Sequence, residues 1–407
     1  MKSKEKKSNI LVLNCGSSSL KYKLIRMPGE EALVSGAAER LGIKTAGVSV
    51  ITHVSGGKKK KIEASLSGHS EALGKILGLI GEDGGTRFDV FAHRYVHPGT
   101  RFRKTVRVRG PELEILRETL PLAPIHNPVS YNLMEFCHRQ YSANDQYAVF
   151  DTAFHRTIPA EYGSYALPRG MVKSYGLKKV GFHGISHRYS SEESCRFLRK
   201  SRTTQRIIIC HLGTGGSSVC AVREGKSINN SMGFTPLEGL VMNTRCGDVD
   251  PGTVFYLMSR DLFPPGDAEN ILNKKSGVLG IFNASSDLRD VVKSMDSDRR
   301  ARMAFDMYVN RVRTYIGFYA ILLKKADILV FTDSLGVEEP LVRQAICKKM
   351  SFLGIRLDEG KNLGYKGGIE DISARNSETR ILVIPSDEEI MIAREVYKEM
   401  KKNGSCC

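Results

Sequence analysis

Two segments of the chain share one rhythm, in which an apolar run is broken by glycines and serines and then resumes. They read ILVLNCGSSSLKYKLI at 10–25 and IIICHLGTGGSSVCAV at 207–222. Each predicts two strands joined by a turn whose outward N–H groups and hydroxyls suit a phosphate. An ordinary hairpin turn that uses glycine for positive φ explains either segment alone. The repetition favours a duplicated domain in which each copy offers one phosphate loop.

The rest of the chain alternates short apolar runs with helical patterns, which predicts an α/β fold. Its 407 residues favour two domains. One helix should open at Pro111, and a longer one should run from about 299 to 325 and pack on the strand ILVF that follows it. The runs that predict buried strands are NILVLN, FDVFAHRYV, QYAVFDTAF, RIIICHLG, ADILVFTDSLG and TRILVIPSD.

The formal net charge of +17 raises the question of a nucleic-acid partner. The four lysines at 58–61 follow two glycines and predict a solvated hairpin turn. The segment RFRKTVRVR at 101–109 alternates in part and predicts a half-buried strand. Neither stretch is interleaved with aromatic residues, and the chain has no Trp. We therefore interpret the charge as a field that attracts small anions, with nucleic-acid binding as the less favoured alternative.

The distribution of apolar residues and cysteines bears on the compartment. No apolar stretch is long enough to cross a bilayer, and the basic N-terminus lacks the apolar core of a secretory signal. The nine cysteines are odd in number and show no metal-ligand spacing, which predicts reduced thiols. These features predict a cytoplasmic protein.

Nine blocks of the sequence occur in the order in which similar blocks occur in the acetate kinases. They are LNCGSSSLKYKL, HRYVHPG, PLAPIHNP, FDTAFHRTIP, GFHGISH, CHLGTGGSS, SMGFTPLEGLVMNTRCGDVDP, LVFTDSLG and IPSDEEIMIARE. The chain resembles this family from Asn9 to about Glu395. The resemblance implies the duplicated, ribonuclease H-like α/β fold of actin, sugar kinases and heat-shock ATPases, with an interdomain cleft, in a homodimer. We expect one domain over 1–155 plus 385–407 and another over 156–384, with no nucleic-acid or membrane partner.

The reaction implied by the resemblance is reversible, direct in-line phosphoryl transfer between a donor and acetate, with Mg²⁺ or Mn²⁺. Such a transfer needs positioning and charge neutralisation more than covalent help. The implied catalytic residues are Arg94, Asp151, His183 and Arg245. Both arginines would bind the acetate carboxylate and the phosphoryl group, because a guanidinium fork fits either oxyanion. His183 would stabilise charge on the phosphoryl group in transfer.

The remaining implied site residues fall into three groups. The metal would be held by Asn14, Asp151 and Glu388, with Glu389 as the competitor of Glu388. The acetate methyl would enter a small apolar pocket of Val96, Ile125, Phe182 and Pro236, and propionate would be a slower substrate. Phosphate and donor binding would fall to Ser17, Ser19, Lys21, His126, His211, Gly213, Thr214, Gly215, Asp333, Ser334 and Gly336. For His126 and His211 a structural hydrogen bond is an equal alternative, and His155 and His187 should serve structure.

The sequence departs from the nucleotide-using members of the family, which read close to HLGNG and FTAGIGEN. Here HLGTGG and FTDSLGVEE place Asp333 and Ser334 where adenosine would lie, and Glu338 adds a charge nearby. These changes resemble the pyrophosphate-linked branch, so we expect pyrophosphate and phosphate, with ATP and ADP as the alternative. Pro98 and Asn243 also stand where glycine is usual. A homologue that binds phosphate or nucleotide without catalysis is a further alternative.

Overall fold

The computed structural model describes residues 6–42, 48–83, 87–259 and 263–402. The chain divides into two compact units. The first contains the chain up to Ala153 and again from Asp387 onward, and the second contains Phe154–Ser386. Among the described residues, each unit is built around one mixed β-sheet.

The sheet of the first unit has eight strands in the order β5-β4-β3-β2-β1-β6-β8-β7. Its strands are β1 Ser8–Cys15, β2 Ser19–Met27, β3 Glu31–Glu39, β4 Ser49–Ser55, β5 Lys58–Ala64, β6 Val90–Tyr95, β7 Val106–Arg107 and β8 Asp145–Phe150. Its first helices are α1 His69–Glu82, α2 Gly110–Arg117 and α3 Asn127–Gln140, and 3₁₀ turns span Leu120–Leu122 and Asp151–Thr157.

The sheet of the second unit has six strands in the order β11-β10-β9-β12-β14-β13. Its strands are β9 Arg206–Gly213, β10 Gly216–Arg223, β11 Lys226–Asn230, β12 Ile328–Thr332, β13 Glu370–Asp371 and β14 Arg380–Ile384. Its helices are α4 Ala160–Gly163, α5 Arg169–Tyr175, α6 Gly184–Phe197, α7 Pro251–Ser259, α8 Pro265–Asn270, α9 Gly277–Phe282, α10 Leu288–Ser294, α11 Arg299–Leu322, α12 Asp333–Glu338, α13 Pro340–Cys347 and α14 Glu359–Leu363. The last helix, α15 Glu388–Lys402, belongs to the first unit and packs on β1, β2 and β6.

The two sheets share one core topology. In the first, β1, β2 and β3 form an antiparallel meander, and β6 and then β8 add in parallel on the other side of β1. In the second, β9, β10 and β11 form the meander, and β12 and then β14 add in parallel on the other side of β9. This repeat confirms the predicted duplicated α/β fold. All six apolar runs singled out in the sequence form strands, namely β1, β6, β8, β9, β12 and β14.

Both predicted helices are present, as α2 and α11. The carboxylate of Asp298 caps α11 by accepting a hydrogen bond from the N–H of Arg300 at 2.7 Å. The apolar stripe of α11 packs on β9 and β10, strands of the sheet that also holds the expected strand ILVF. None of the helices in the described residues is long and apolar enough to cross a membrane.

The two basic stretches differ from their predicted forms. The lysines at 58–61 are part of strand β5 rather than of a turn, and the turn itself is made by Gly56 and Gly57, both with positive φ. β5 is an edge strand, where lysines discourage pairing with another chain. In the second stretch only Val106–Arg107 is a strand, because pairing with β8 extends over those two residues alone. The seven cysteines in the described residues are free, and Cys406 and Cys407 lie outside those residues.

One buried cation ties three helices of the second unit together. Arg343 on α13 is only 1% exposed. Its guanidinium donates to the carbonyl oxygens of Gly336 and Val337 on α12 at 3.0 and 2.7 Å. It also donates to the side-chain and backbone oxygens of Asn362 on α14, at 2.7 and 3.1 Å. Arg343 therefore fixes the C-terminal end of the short helix that carries Asp333 and Ser334.

The substitution Arg343→Ala would leave these four acceptors buried without their donor. We expect a loss of about 3 kcal/mol in the free energy of unfolding. This loss should lower the unfolding midpoint of the protein by roughly 6–12 °C. Differential scanning calorimetry measures the change, with the exposed Arg375→Ala as the matched control, which should leave the midpoint unchanged. A wild-type midpoint for Arg343→Ala would contradict the assignment.

Candidate active site

In the first unit an arginine lies among acidic side chains where two strands end. Arg94 on β6 places Nη2 3.3 Å from Oδ2 of Asp151 and Nε 3.8 Å from Oε2 of Glu388. Asp151 directly follows β8, the parallel neighbour of β6, so both strands deliver their side chains to the same edge of the sheet. Burial opposes the charge on Arg94, but the carboxylates of Asp151 and Glu388 outweigh it and raise the pKa of Arg94. The charge of this arginine is therefore compensated.

Asn14 joins the first glycine-rich turn to the same carboxylates. It lies on β1 opposite Lys21 on β2, just before the turn. Its Nδ2 donates to Oε2 of Glu388 at 3.0 Å and to Oε1 of Glu389 at 2.9 Å. Glu388 and Glu389, the alternative metal ligands predicted from the sequence, thus both contact Asn14. They occupy the first turn of α15, where the helix dipole favours negative charge.

The metal predicted from the sequence can be tested against this group of side chains. Asp151, Glu388 and Glu389 bring three negative charges to Arg94, and a divalent cation would balance the excess. Among the described residues, no group of three or more His, Cys, Asp or Glu side chains is arranged to hold a metal ion. Mg²⁺ usually takes only one or two carboxylates and fills its shell with waters and phosphate oxygens. The oxygen donors of Asn14, Asp151 and Glu388 therefore fit Mg²⁺ as a partial shell.

In the second unit two histidine rings lie close together beside the second glycine-rich turn. The register of β9 and β10 places Gly213 opposite Gly216 and His211 opposite Ser218. His183 precedes α6 in a left-handed conformation, with φ 57°, a conformation uncommon for residues other than glycine. Its ring lies 4.2 Å from the ring of His211, measured between centroids. The predicted residues His183 and His211 are thus brought together by α6 and the hairpin.

Arg245 approaches the same glycine-rich turn. A Cβ built on Gly216 would lie 3.1 Å from Nη1 of Arg245 and 3.6 Å from Nε2 of His183. No carboxylate in the part of the chain that the structure describes forms an ion pair with Arg245, whose guanidinium contacts Sδ of Met242 at 3.7 Å. Burial lowers the pKa of Arg245. This arginine therefore presents an uncompensated positive charge beside a glycine-rich turn, an arrangement that favours an anion.

The two residues that depart from the nucleotide-using pattern both contact the second turn. Oδ2 of Asp333 lies 3.1 Å from Nε2 of His211. A Cβ built on Gly213 would meet that carboxylate oxygen at 1.9 Å, so a larger residue there would displace the Asp333 side chain. The hydroxyl of Ser334 accepts a hydrogen bond from the backbone N–H of Thr214 at 3.2 Å. Asp333 itself has a positive φ of 63°.

The other predicted residues are distributed over both units. In the first, Val96 is buried and Ile125 is 52% exposed, whereas in the second Phe182 is buried and Pro236 is half-buried. The four predicted pocket residues are therefore divided between the two units. The remaining positions are Ser17 and Lys21, both exposed, the half-buried Ser19 and His126, Gly215 in the second turn, and Gly336, buried in α12. Pro98 is buried and Asn243 is half-buried.

Two carboxylates that the sequence analysis did not single out hold the segment leading to Arg245. Asp248 accepts from the N–H of Gly239 and from the hydroxyl of Tyr315, both at 2.7 Å. Glu238 accepts from the hydroxyl of Tyr165 at 2.5 Å. Both acids lie inside the long block SMGFTPLEGLVMNTRCGDVDP, and that position was their only signal in the sequence.

Comparisons with known proteins cover nearly the whole chain. The sequence matches the acetokinase family over residues 9–394. The acetate kinase of Clostridium novyi is 41% identical over 402 residues, which are 97% of this chain and 99% of that protein. The acetate kinase of Thermotoga maritima is 42% identical over 404 residues, with 97% and 99% covered.

Solved structures agree with the sequence comparisons. The acetate kinase of Porphyromonas gingivalis superposes with a TM-score of 0.87 at 38% identity, covering 96% of this chain and 99% of that one. A propionate kinase from Francisella tularensis gives a TM-score of 0.87 at 35% identity, with 95% and 98% covered. The chain therefore belongs to the acetokinase family, whose members are phosphotransferases with a carboxyl group as acceptor.

Proposed function

We propose that this protein is an acetate kinase that transfers a phosphoryl group reversibly between acetate and a phosphoryl donor. The observation that carries the proposal is the uncompensated guanidinium of Arg245 beside Gly216 in the second glycine-rich turn. Family membership supplies the reaction class, and the arginine supplies an anion site in this chain. The resemblance also implies a cytosolic homodimer, which stays a prediction.

The two arginines differ in charge compensation, and this difference suggests different tasks. Arg245 would neutralise charge on the phosphoryl group, because a cation without a carboxylate partner gains most from an incoming anion. Arg94 already shares Asp151 and Glu388, so it would orient the acetate carboxylate rather than supply net charge. His183, beside Arg245, would donate a hydrogen bond to a phosphoryl oxygen. In-line transfer requires this positioning more than any covalent step by the protein.

The acidic group in the first unit would hold the metal. Asp151, Glu388 and Asn14 offer oxygen donors, and the excess negative charge around Arg94 supports a divalent cation there. When bound, Mg²⁺ would neutralise charge on phosphate oxygens. Mn²⁺ favours the same oxygen donors and would serve as an alternative.

The acceptor should be a short-chain acid. The predicted pocket residues Val96, Ile125, Phe182 and Pro236 are all apolar, which suits a methyl group. One added methylene changes the preference of such a pocket by only about 1–3 kcal/mol. The relative from Francisella tularensis that is named a propionate kinase agrees with modest discrimination within the family.

We favour pyrophosphate over ATP as the donor, so that acetate and pyrophosphate would give acetyl phosphate and phosphate. Asp333 contacts Nε2 of His211, and the hydroxyl of Ser334 accepts a hydrogen bond from the N–H of Thr214. Two hydrogen-bond donors at the second turn are therefore already engaged. Pyrophosphate lacks the adenosine that would extend toward these side chains. ATP and ADP remain the alternative.

Replacing Arg245 tests the anion site. Arg245→Ala should lower kcat by about 10²–10³-fold, because an oriented donor to the phosphoryl group is lost. The kcat of Arg245→Lys should fall between those of the wild type and Arg245→Ala, because lysine keeps the charge but lacks the planar fork. A hydroxamate assay of acetyl phosphate formation measures the rates, with Arg375→Ala as a control of equal charge change. A fully active Arg245→Ala enzyme would refute the assigned role.

The donor can be decided with the same assay. Wild-type protein with acetate and Mg²⁺ should turn over with pyrophosphate and poorly with ATP, and the reverse reaction should use acetyl phosphate and phosphate. The double variant Asp333→Gly/Ser334→Gly should gain activity with ATP, because it frees His211 Nε2 and the N–H of Thr214. If the wild type turned over with ATP but not with pyrophosphate, the assignment of the donor would be reversed.

A third substitution tests the metal site. Glu388→Gln should raise the Mg²⁺ concentration for half-maximal activity about tenfold or more, because a charged oxygen donor is lost. The matched control is Glu359→Gln, at an exposed position on α14 in the second unit. Titration of activity with Mg²⁺ compares the variants. An unchanged Mg²⁺ requirement in Glu388→Gln would place the metal elsewhere.

A further inference from the structure

One hydroxyl in the second unit lies between two histidine rings. Oγ of Ser218 is 2.9 Å from Nδ1 of His183 and 2.8 Å from Nε2 of His187. A serine hydroxyl has one hydrogen and two lone pairs. Ser218 is buried and has no third hydrogen-bond partner among the described residues, so its hydrogen is donated to one of these rings and its oxygen accepts from the other. The chain of His187, Ser218 and His183 therefore has two possible hydrogen arrangements, and each fixes the tautomer of His183.

The surroundings of His187 select between the two arrangements. His187 is fully buried, and its Nδ1 has no hydrogen-bond partner among the described residues. A hydrogen on Nδ1 would leave a buried N–H without an acceptor, which proteins rarely tolerate, whereas a lone pair there costs less. Burial, with smaller contributions from His155 and His211, lowers the pKa of His187 well below its ordinary value, so the ring is neutral. His187 therefore carries its hydrogen on Nε2 and donates it to Ser218.

The direction of the remaining hydrogen bond follows. Because Ser218 accepts from His187, its own hydrogen is donated to Nδ1 of His183. We infer that His187 and Ser218 are positioning residues that fix His183 in the neutral tautomer with its hydrogen on Nε2. That nitrogen is the one near Gly216, 3.6 Å from a Cβ built there, on the side where Arg245 also approaches. Its use as a donor to a phosphoryl oxygen rests on the proposed function, but the tautomer does not.

Rigid elements hold the three groups in place. His183 and His187 are one turn apart at the start of α6, with the backbone N–H of His187 bonded to the carbonyl of His183 at 2.9 Å. Ser218 is fully buried on β10. The Ser218 side chain can therefore neither turn to solvent nor replace the two histidine rings by water as its hydrogen-bond partners. The fold thus determines the hydrogen arrangement.

A second serine–histidine chain beside the first follows the same logic. Oγ of Ser386 donates to Oγ of Ser186 at 3.2 Å, and Ser186 lies 2.9 Å from Nδ1 of His211. The carboxylate of Asp333 can only accept from Nε2 of His211, so His211 also carries its hydrogen on Nε2. In that chain the hydrogen is donated to Asp333. The corresponding hydrogen of His183 lies on the side of Gly216 and Arg245.

Nitrogen-15 NMR of the wild-type protein tests the inference directly. Two-bond proton–nitrogen spectra of protein labelled at its ten histidines distinguish the two neutral tautomers. His183→Gln and His187→Gln assign the relevant signals by their disappearance. We expect both rings to be neutral with hydrogen on Nε2 at neutral pH. A hydrogen on Nδ1 of His183 would overturn the proposal, and this readout holds even if the protein has no acetate kinase activity.

Substitutions of Ser218 and His187 distinguish a role in positioning His183 from a purely structural role. Ser218→Ala should release the tautomer preference of His183 and lower kcat about 10- to 100-fold, with little change in KM. The matched control is Ser190→Ala on α6, which removes an equally buried hydroxyl that has no hydrogen-bond partner among the described residues. His187→Gln keeps an N–H donor and should retain more activity than His187→Met. An unchanged His183 spectrum in Ser218→Ala would contradict the role of the hydroxyl.

Discussion

The antiparallel register of β9 and β10 is the constraint on which the candidate site of the second unit depends. Ile208, Cys210, Leu212, Val219 and Ala221 alternate onto one face of this hairpin and enter the same hydrophobic cluster as α11. Because side chains alternate along a strand, burying that set forces His211 and Ser218 onto the opposite face, toward α6. A slip by one residue would exchange the two faces, turning the apolar set toward α6 and the polar side chains into the hydrophobic cluster. Hydrophobic burial on one side thus positions the polar chemistry on the other.

The two glycine-rich turns are similar in sequence but lie in opposite electrostatic surroundings. The first is linked through Asn14 to Glu388 and Glu389, so it lies beside an excess of negative charge. The second lies beside Arg245, which lacks an acidic partner in the described residues, and therefore beside an excess of positive charge. The duplication preserved the backbone and its topology, while the side chains delivered to each hairpin diverged. In the proposed function, one turn would serve the cation and the other the phosphoryl group.

The sequence predicted the fold well because its strands are continuous apolar runs whose burial leaves few alternatives. It failed at the lysines 58–61, since charged side chains can lie on an edge strand as readily as in a turn. The family resemblance supplied Arg94, Asp151, His183 and Arg245, but the pattern alone does not say which arginine is compensated. That difference, like the bridging position of Ser218, arises from elements distant in the sequence, so no local motif could reveal it. The sequence did not reveal Asp248 for the same reason, because its partner Tyr315 is distant along the chain.

The contacts of Asp333 and Ser334 have a consequence for any long donor. Nε2 of His211 and the N–H of Thr214 are satisfied inside the protein, so a nucleotide that needed them would first have to break both hydrogen bonds. Each such bond contributes about 1 kcal/mol net. Their joint loss would weaken nucleotide binding about 30-fold. Repulsion from the Asp333 carboxylate adds to this penalty, and salt would screen it because the side chain is partly exposed. In the proposed function, these two contacts of α12 disfavour a donor that must hydrogen-bond to His211 and Thr214.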